Sequence, residues 1–510
     1  MPSLLDHPHF QSLLDPSYKV DLKGEAIHDP KRMEALTIKA PLWTGWFAHQ
    51  DYSVEGWRKL QQLAVARQSL NWMQSMQAGK EVNFIENEPS SVAALHTALR
   101  RMSDQSKGLP KADEVASGAQ AERARIAKLL ANNPFKSLVV VGIGGSQLGP
   151  QAIHEALCRM QKPSHPVYFA PNLDPDDHQY IAGEIDPKNV LVAIISKSGG
   201  TLETLLGEKW WRQYLHSKGI DPKNHLVSIT TPGSRIDRPN DYLGCFYFDP
   251  SIGGRYSWAS SIGALTVGFA FGARCFEELL EGAYEMDLHA LEDERGANLP
   301  LALAFTSIWQ RQIMKRPTQA IICYKQGLHR FTAHLQQLIM ESLGKSTDRF
   351  AQPLGCSSGP LIWGEPGTCA QHSFFQWLHQ GSDDVPVDFI LETQTSSKDP
   401  LEKEIHRQLL ANVLAQSQAL CQGKEHEKAH KACPGKRPST LLYCQKLNPK
   451  ALGALVSLYE HRTAFEGFIL GLNPFDQEGV ELGKHLAQDT FDILNQGKSN
   501  TAWFRDIFKD

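Results

Sequence analysis

The chain has 510 residues, of which 41% are hydrophobic and 21% charged, the composition of an ordinary soluble globular protein. Its 52 lysines and arginines stand against 56 aspartates and glutamates, so the net charge of −4 argues against nucleic acid as a partner. Nine scattered cysteines favour a reducing compartment over a disulfide framework. No apolar run approaches the roughly 20 residues that cross a bilayer, and the N-terminus lacks a signal-peptide pattern. We therefore expect a cytoplasmic protein with no membrane partner.

The order of apolar runs predicts an α/β fold with more than one domain. Residues 1–105 predict a helical segment without strong strand patterns, packing on the larger domain. In residues 106–280, the buried-strand runs SLVVVGI, PVYFA, VLVAIIS, HLVSIT and CFYF alternate with helical segments. Residues 281–510 repeat the alternation with TQAIICY, VDFIL and STLLYCQ, then end in a helical arm. Each of these two domains is predicted to be a mainly parallel sheet flanked by helices.

A first glycine-rich loop, in VVVGIGGSQLGP, follows a predicted strand and opens a helix. Gly145 and Ser146 lie in it, where backbone N–H groups can approach an anion. The third glycine of a dinucleotide-binding fingerprint would fall at position 147, which is Gln147, so NAD is disfavoured. The loop alone could equally be a tight strand-to-helix turn.

A second loop, in IISKSGGTLET, contains Ser196, Lys197, Ser198 and Thr201. Hydroxyls beside free N–H groups suit a terminal phosphate monoester, and the GxxxxGK(S/T) spacing of nucleoside triphosphate sites is absent. This loop too could be only a turn. Because both loops follow strands of one parallel sheet, together they favour a ligand crevice at the carboxyl ends of those strands.

Two later segments set polar groups at helical spacing. In LHRFTAHLQQLIMESLGK, an apolar stripe leaves His334, Gln337 and Glu341 on another face, which we expect to line a cleft. For one glutamate, a solvated helix face is the simpler interpretation. In FDQEGVELGK, Gln477 and Lys484 are seven residues apart and are expected to share one helix face.

His372 and Arg255 are further candidates. His372 ends the motif GEPGTCAQH at a predicted helix start, where a structural histidine is the common alternative. Arg255 follows two glycines in SIGGRYSW, whose small size lets the guanidinium reach inward; a surface salt bridge is the alternative.

Cys421, His426, His430 and Cys433 form a C-x4-H-x3-H-x2-C pattern. These residue types can bind zinc, but the spacing matches no usual finger. The charged context KEHEKAHK predicts a solvated helix instead. We therefore expect no metal site.

The motifs GIGGSQLGP, SKSGGTLET, GGRYSWASSIG, QQLIMESLGK, GEPGTCAQH, YEH and FDQEGVELGK occur in this order, and together they resemble the glucose-6-phosphate isomerase family. The resemblance covers roughly residues 140–485, and FDQEGVELGK is its most specific motif. It implies two sugar-isomerase (SIS) domains and a homodimer with a shared active site. It also implies, without a cofactor, reversible conversion of glucose 6-phosphate to fructose 6-phosphate through a cis-enediolate, in glycolysis and gluconeogenesis.

The resemblance also implies roles for individual residues. Glu341 matches the base, His372 the ring-opening group and Lys484 its partner at the ring oxygen. Arg255 matches the arginine that faces the enediolate. The matches to substrate contacts are Gly145, Ser146, Ser196, Lys197, Ser198, Thr201, Gln337 and Gln477.

Several positions depart from the family pattern. Gln147 stands where Asp is common, Gly200 where a hydroxyl is common, Leu343 where Asn is frequent, and Cys369 in place of an Asn. We expect these changes to affect ligand affinity more than reaction type. A sugar-phosphate-binding regulator without catalysis, and an isomerase of mannose 6-phosphate or an amino sugar phosphate, are the alternatives.

Overall fold

The structure is a computed structural model that describes residues 4–89, 91–101, 109–131, 134–293 and 298–496. The chain divides into two compact units: the large unit is Met1–Pro474 and the small unit is Phe475–Asp510. The strands are β1 Thr37–Lys39, β2 Thr44–Trp46, β3 Glu81–Asn83, β4 Val92–Ala93, β5 Ser137–Val141, β6 Val167–Phe169, β7 Val190–Ile195, β8 Leu226–Thr230, β9 Gly244–Tyr247, β10 Thr318–Cys323, β11 Leu361–Trp363, β12 Val387–Glu392 and β13 Ser439–Cys444. The α-helices are α1 Pro8–Ser12, α2 Pro30–Ala35, α3 Val54–Ala66, α4 Ser69–Ala78, α5 Pro110–Ala131, α6 Leu148–Met160, α7 Pro175–Gly183, α8 Leu202–Ser217, α9 Ser261–Phe271, α10 Ala273–His289, α11 Leu299–Ile308, α12 Phe331–Leu335, α13 Gly367–Gln371, α14 Phe375–Gln380, α15 Pro400–Gln422, α16 Pro449–Leu470 and α17 Glu481–Gln496.

The first sheet has the order β6-β5-β7-β8-β9, and all its neighbouring strands are parallel. Every residue of β5, β7 and β8 is buried, as expected for Val- and Ile-rich strands covered by helices on both faces. The five strands predicted for this region are confirmed. The chain leaves β5 for β6 on one side and returns to β7 on the other, so the strand order reverses between β5 and β7. In doubly wound sheets, ligands bind outside the carboxyl ends of the strands at such a reversal.

The second sheet has the order β1-β2-β13-β12-β10-β11. Strands β10 to β13 are mutually parallel, whereas β2 runs antiparallel to β13, and β1 antiparallel to β2. The expectation that residues 1–105 contain no notable strand was therefore wrong. Strands of three residues are too short to establish a two-residue period in the sequence. The predicted domain boundaries at 105 and 280 stay predictions.

Helix α16 runs through the interior of the large unit. It is buried from Ala451 to Leu470, although it contains the charged sequence YEHR. Arg100 donates to Asp287 Oδ1 at 2.6 Å and pairs with Glu460, while His461 Nε2 lies 2.7 Å from the same Asp287 oxygen. Although burial alone would raise it, the pKa of Asp287 is lowered by the Arg100 charge and by the His461 contact. The YEH motif thus takes part in a buried polar network.

The small unit contains a 3-10 turn, Glu478–Val480, followed by α17. The predicted C-terminal helix is confirmed as far as residue 496, and the remainder of the predicted arm, 497–510, lies outside the described residues. Among the helices in the described ranges, none combines the length and apolar character that crossing a membrane requires.

Candidate active site

The loop after β5 lies against the segment that carries Arg255. A Cβ built on Gly145 would lie 2.6 Å from the Gly254 Cα and closer still to its carbonyl group, so only glycine fits there. Ser257 Oγ donates to the Gly145 carbonyl at 3.3 Å. Gly144 has φ +61°, and a Cβ there would lie 3.1 Å from Gln337 Nε2. The first glycine-rich loop, which also contains the half-buried Ser146, therefore borders both Arg255 and Gln337.

The loop after β7 is held in shape by its own hydroxyls. Ser196 Oγ accepts from the Gly199 N–H at 3.1 Å and lies 3.1 Å from Thr201 Oγ1. The Gly200 N–H donates to Ser198 Oγ at 3.1 Å. Thr201 precedes α8 and its side chain does not cap the helix. The first N–H groups of this helix thus lack a Thr201 partner, as an anion site requires.

The two loops adjoin, because a Cβ on Gly142 would lie 2.9 Å from the Ile195 carbonyl oxygen at the end of β7. Thr231 Oγ1 donates to the Lys197 carbonyl at 2.8 Å and fixes the second loop. The Lys197 side chain reaches solvent, yet desolvation lowers the pKa of its ammonium, with Asp249 acting in the opposite direction. The second loop therefore carries a positive charge beside its hydroxyls.

Glu341 ends a π-helical segment, 336–341, that follows α12. Gln337 Nε2 donates to Glu341 Oε2 at 3.0 Å, and Arg255 Nη1 donates to Glu341 Oε1 at 2.6 Å. The Glu341 side chain is 24% exposed, whereas that of Arg255 is fully buried. π-Helical turns of this kind occur frequently at functional sites. The carboxylate is oriented through both of its oxygens and still reaches the surface.

His334 does not share this face, so the expectation that it lines a cleft was wrong. Its side chain is 1% exposed, and a Cβ on Gly149 would lie 3.3 Å from its ring. Desolvation lowers the pKa of His334 to about 4. The wider π turn that begins at residue 336 rotates later side chains relative to earlier ones, which an α-helical spacing does not anticipate.

Arg255 is 2% exposed, so its interpretation as a surface salt bridge was wrong. Its Nε donates to Ser342 Oγ at 2.6 Å and its Nη2 to the Pro474 carbonyl at 2.7 Å. Tyr256 Oη lies 3.2 Å from Ser342 Oγ. Sequence reasoning missed Ser342 and Tyr256, whose only signal was that each directly follows a candidate residue.

His372 is exposed and directly follows α13. The helix is anchored beneath it, since a Cβ on Gly367 would lie 2.5 Å from the Tyr324 ring and Gln371 Nε2 donates to Tyr324 Oη at 2.5 Å. Within the described ranges, no hydrogen bond or ion pair joins the His372 ring to Glu341. His372 is thus presented outward on a fixed support.

Lys484 and Gln477 belong to the small unit. Lys484 Nζ donates to Glu481 Oε1 at 2.6 Å, and its side chain is 64% exposed. Gln477 is exposed and precedes the 3-10 turn, while α17 begins only at Glu481. The expectation that the two share one helix face was therefore wrong, because a turn with three residues per revolution comes between them.

The departures from the family pattern lie in different surroundings. Leu343 is fully buried and belongs to the core. A Cβ built on Gly359 would lie 2.5 Å from the Leu343 Cβ. Gln147 is buried and its Nε2 donates to Gln151 at 2.5 Å. Gly200 and Cys369 are exposed.

The predicted helix around KEHEKAHK is absent: α15 ends before it, and Lys424 pairs with Cys433 in an antiparallel bridge. Cys421 Sγ donates to the Leu22 carbonyl at 3.3 Å in the interior, while both histidines of the pattern are exposed. Over the described part of the chain, no three His, Cys, Asp or Glu residues are grouped to hold a metal ion.

A sequence profile of the family described as Phosphoglucose isomerase matches residues 47–504. The chain belongs to this family. A curated relative named Glucose-6-phosphate isomerase, from Protochlamydia amoebophila (strain UWE25), is 47% identical over 449 residues, which cover 86% of this chain and 84% of the relative. Another of that name, from Chlamydia abortus (strain DSM 27085 / S26/3), is 40% identical over 502 residues, covering 97% and 94%.

A crystal structure of a glucose-6-phosphate isomerase from Chlamydia trachomatis D/UW-3/Cx superimposes with a TM-score of 0.95 at 36% identity and covers 100% of both chains. A hypothetical protein from Thermus thermophilus shares the fold, with a TM-score of 0.67 at 24% identity over 85% of this chain and 96% of its own. The predicted phosphoglucose isomerase family, the α/β fold class and the expectation of an aldose–ketose isomerase are confirmed.

Proposed function

We propose that the chain interconverts D-glucose 6-phosphate and D-fructose 6-phosphate, the reaction for which its relatives are named. The observation that carries the proposal is the Glu341 carboxylate, held by Arg255 on one oxygen and by Gln337 on the other. A regulator that only binds sugar phosphates would need the hydroxyl loops but not this oriented carboxylate. The reaction class thus follows from a base and a cation placed side by side.

The second loop is the proposed phosphate site. Ser196, Ser198 and Thr201 supply hydroxyls, Lys197 supplies charge, and α8 supplies N–H groups at the positive end of its dipole. Because this loop adjoins the one containing Gly145, a phosphate bound there would direct the sugar towards the Gly254 segment. This arrangement suits an extended sugar monophosphate.

Glu341 is the proposed base. It takes the proton from C2, the C–H electron pair forms the C1–C2 double bond, and the carbonyl oxygen becomes the enediolate oxygen. Glu341 then returns the proton to C1 while the proton of the C2 hydroxyl passes to the C1 oxygen, so that C2 becomes the carbonyl carbon and one carboxylate performs both carbon proton transfers. Arg255 stabilises the developing charge, and removing one such donor typically costs about 3–4 kcal/mol. The buried Oε1 of Gln337, which has no hydrogen-bond partner among the described residues, can accept from a sugar hydroxyl.

Ring opening is assigned to His372 and Lys484 on the family pattern, and we place His372 in the active site of a second copy of the chain. The outward position of His372 supports this assignment. Helix α13, which precedes His372, packs against α15, and α15 carries the apolar residues Leu401 and Ile405, which are 63% and 58% exposed. Exposed apolar side chains one turn apart on a helix are compatible with a protein–protein interface.

A cytoplasmic location and a role in glycolysis and gluconeogenesis complete the proposal. All nine cysteines lie within the described residues and are free thiols, which fits a reducing compartment. Substrates such as mannose 6-phosphate would share the phosphate loop and the base, so they belong in the same assay as fructose 6-phosphate.

The first test is Glu341→Gln, assayed by exchange of the C2 hydrogen of glucose 6-phosphate with deuterated solvent. Exchange should be lost while sugar-phosphate binding persists, since the amide keeps the shape but cannot take a proton. Glu155→Gln is the matched control: that carboxylate is 27% exposed and contacts His329, yet it lies outside the proposed site. Exchange at the wild-type rate in Glu341→Gln would show that the base is misassigned.

The shared site is tested by mixing Glu341→Gln with His372→Asn, each inactive alone. After co-refolding, half of the dimers are mixed and each carries one intact site, so about a quarter of wild-type activity should return. Mixed dimers that form but remain inactive would refute the assignment of His372 to the neighbouring copy.

A further inference from the structure

Ser342 is the residue that directly follows the proposed base, and it is completely buried. Its hydroxyl oxygen accepts from Arg255 Nε at 2.6 Å and lies 3.2 Å from Tyr256 Oη. Tyr256 is 1% exposed and donates to the Pro474 carbonyl at 3.4 Å. The same carbonyl accepts from Arg255 Nη2 at 2.7 Å.

These contacts close a ring of hydrogen bonds. Arg255 Nε donates to the Ser342 oxygen, the Ser342 and Tyr256 hydroxyls are within hydrogen-bond distance of each other, and Tyr256 donates to Pro474, which Arg255 Nη2 also reaches. Because Tyr256 donates to Pro474, its oxygen can accept from the Ser342 hydroxyl, so no hydroxyl of the ring is left unpaired. Burial raises the pKa of Tyr256, so its hydroxyl keeps its proton at neutral pH.

The ring fixes two edges of a planar guanidinium and leaves Nη1 to face Glu341. A guanidinium held at Nε and Nη2 cannot rotate about its stem, so the direction of Nη1 is set before substrate arrives. Stabilisation of developing charge depends on such a fixed direction. Without the Ser342 bond, Arg255 would keep its charge but lose the contact that orients its Nε edge.

We propose that Ser342, supported by Tyr256, is a positioning residue that orients Arg255 for turnover rather than for substrate binding. The inference rests on the proposed function, because Arg255 acts on the enediolate only in that reaction. Neither Ser342 nor Tyr256 is assumed to touch the sugar.

The test is Ser342→Ala, followed by kcat and KM for fructose 6-phosphate. A hydrogen bond to a charged group is lost, so kcat should fall about 10-fold or more while KM changes by less than about 2-fold. Ser342→Thr keeps the hydroxyl and should recover most of the loss. Ser307→Ala is the matched control, because that buried serine also hydrogen-bonds an ionisable side chain, donating to Glu466 Oε1 at 2.8 Å. It should lower the unfolding temperature comparably and leave kcat unchanged.

A double-mutant cycle decides whether Ser342 acts through Arg255. Adding Ser342→Ala to Arg255→Ala should cause no further fall in kcat, since the group being oriented is already gone. The inference is overturned if the two losses multiply. It is also overturned if Ser342→Ala lowers only the unfolding temperature, as Ser307→Ala does.

Binding separates this inference from the proposed function. Ser342→Ala should weaken binding of a phosphorylated sugar acid, whose carboxylate mimics the enediolate charge, more than binding of the corresponding sugar alcohol phosphate. Equal weakening of both would contradict the positioning role while leaving the isomerase assignment intact. A wild-type protein that binds neither analogue and converts no fructose 6-phosphate would overturn both.

Discussion

Gly145→Ala is the substitution whose effect the structure predicts most directly. The new Cβ would lie 2.6 Å from the Gly254 Cα, whereas ordinary van der Waals contact begins at 3.4 Å. The two segments must therefore separate by at least about 0.8 Å, and misplacement on that scale costs roughly 100-fold in rate when it reaches reacting groups. Because Arg255 follows Gly254 directly, the displacement reaches the guanidinium. Overpacking should also reduce stability by about 1–3 kcal/mol.

The assay couples fructose 6-phosphate conversion to a dehydrogenase and is read beside thermal unfolding. Gly254→Ala is the contrasting variant, because its Cβ would lie 3.8 Å from the Gly145 Cα, an ordinary contact. Gly118→Ala, in the interior of α5 with open space around its Cβ, should stabilise by about 0.5–1 kcal/mol and leave activity unchanged. The steric argument expects kcat/KM of Gly145→Ala to fall roughly 100-fold. A value within about 3-fold of wild type would refute it.

Two further predictions concern charge. Arg255→Lys should lower kcat by about 100-fold in the same coupled assay, because an ammonium cannot reach Ser342, Pro474 and Glu341 together. A loss below about 5-fold would show that the simultaneous contacts of the planar guanidinium are not needed. Burial lowers the pKa of His334 from 6.5 to about 4, so folding favours its neutral form. The stability it contributes is complete above pH 6.5 and is lost as pH falls towards 4. Unfolding temperatures should decline over that window, with a shallower slope in His334→Phe; identical slopes would contradict the assignment.

The sequence predicted the first sheet well because its central strands are buried on both faces. Runs such as VLVAII, which form β7, carry no polar residue and leave little choice of structure. Strands β1 and β2 were missed because TIK and TGW have three residues each and are half-exposed. Their place in the second sheet depends on pairing with β13, which lies near the other end of the chain and which no local pattern encodes.

The candidate site was predictable to the extent that backbone chemistry dictates it. Glycines after strands predicted two loops at the carboxyl ends of one sheet, and the structure has them side by side after β5 and β7. The spacing of Gln337 and Glu341 predicted that they share a helix face, and their side chains are hydrogen-bonded. The two glycines before Arg255 indicated that its guanidinium reaches inward, and Arg255 is buried. The π-helical turn depends on tertiary contacts, so it could not be predicted.

The bonding of Arg255 bears on how substrate could enter the site. Its hydrogen bonds to Ser342 and the Pro474 carbonyl are to neutral and buried groups, whereas its ion pair is with Glu341, which reaches solvent. Breaking a buried ion pair by removing one partner is costly because a charge is left without compensation. Here the guanidinium would keep both neutral partners if the carboxylate turned towards a sugar, and the developing enediolate would replace the carboxylate at Nη1. On the proposed function, the ion pair between Arg255 and Glu341 is therefore replaced during the reaction by a contact between Arg255 and the enediolate. The hydrogen bonds of Arg255 to Ser342 and the Pro474 carbonyl hold the guanidinium in place during this replacement.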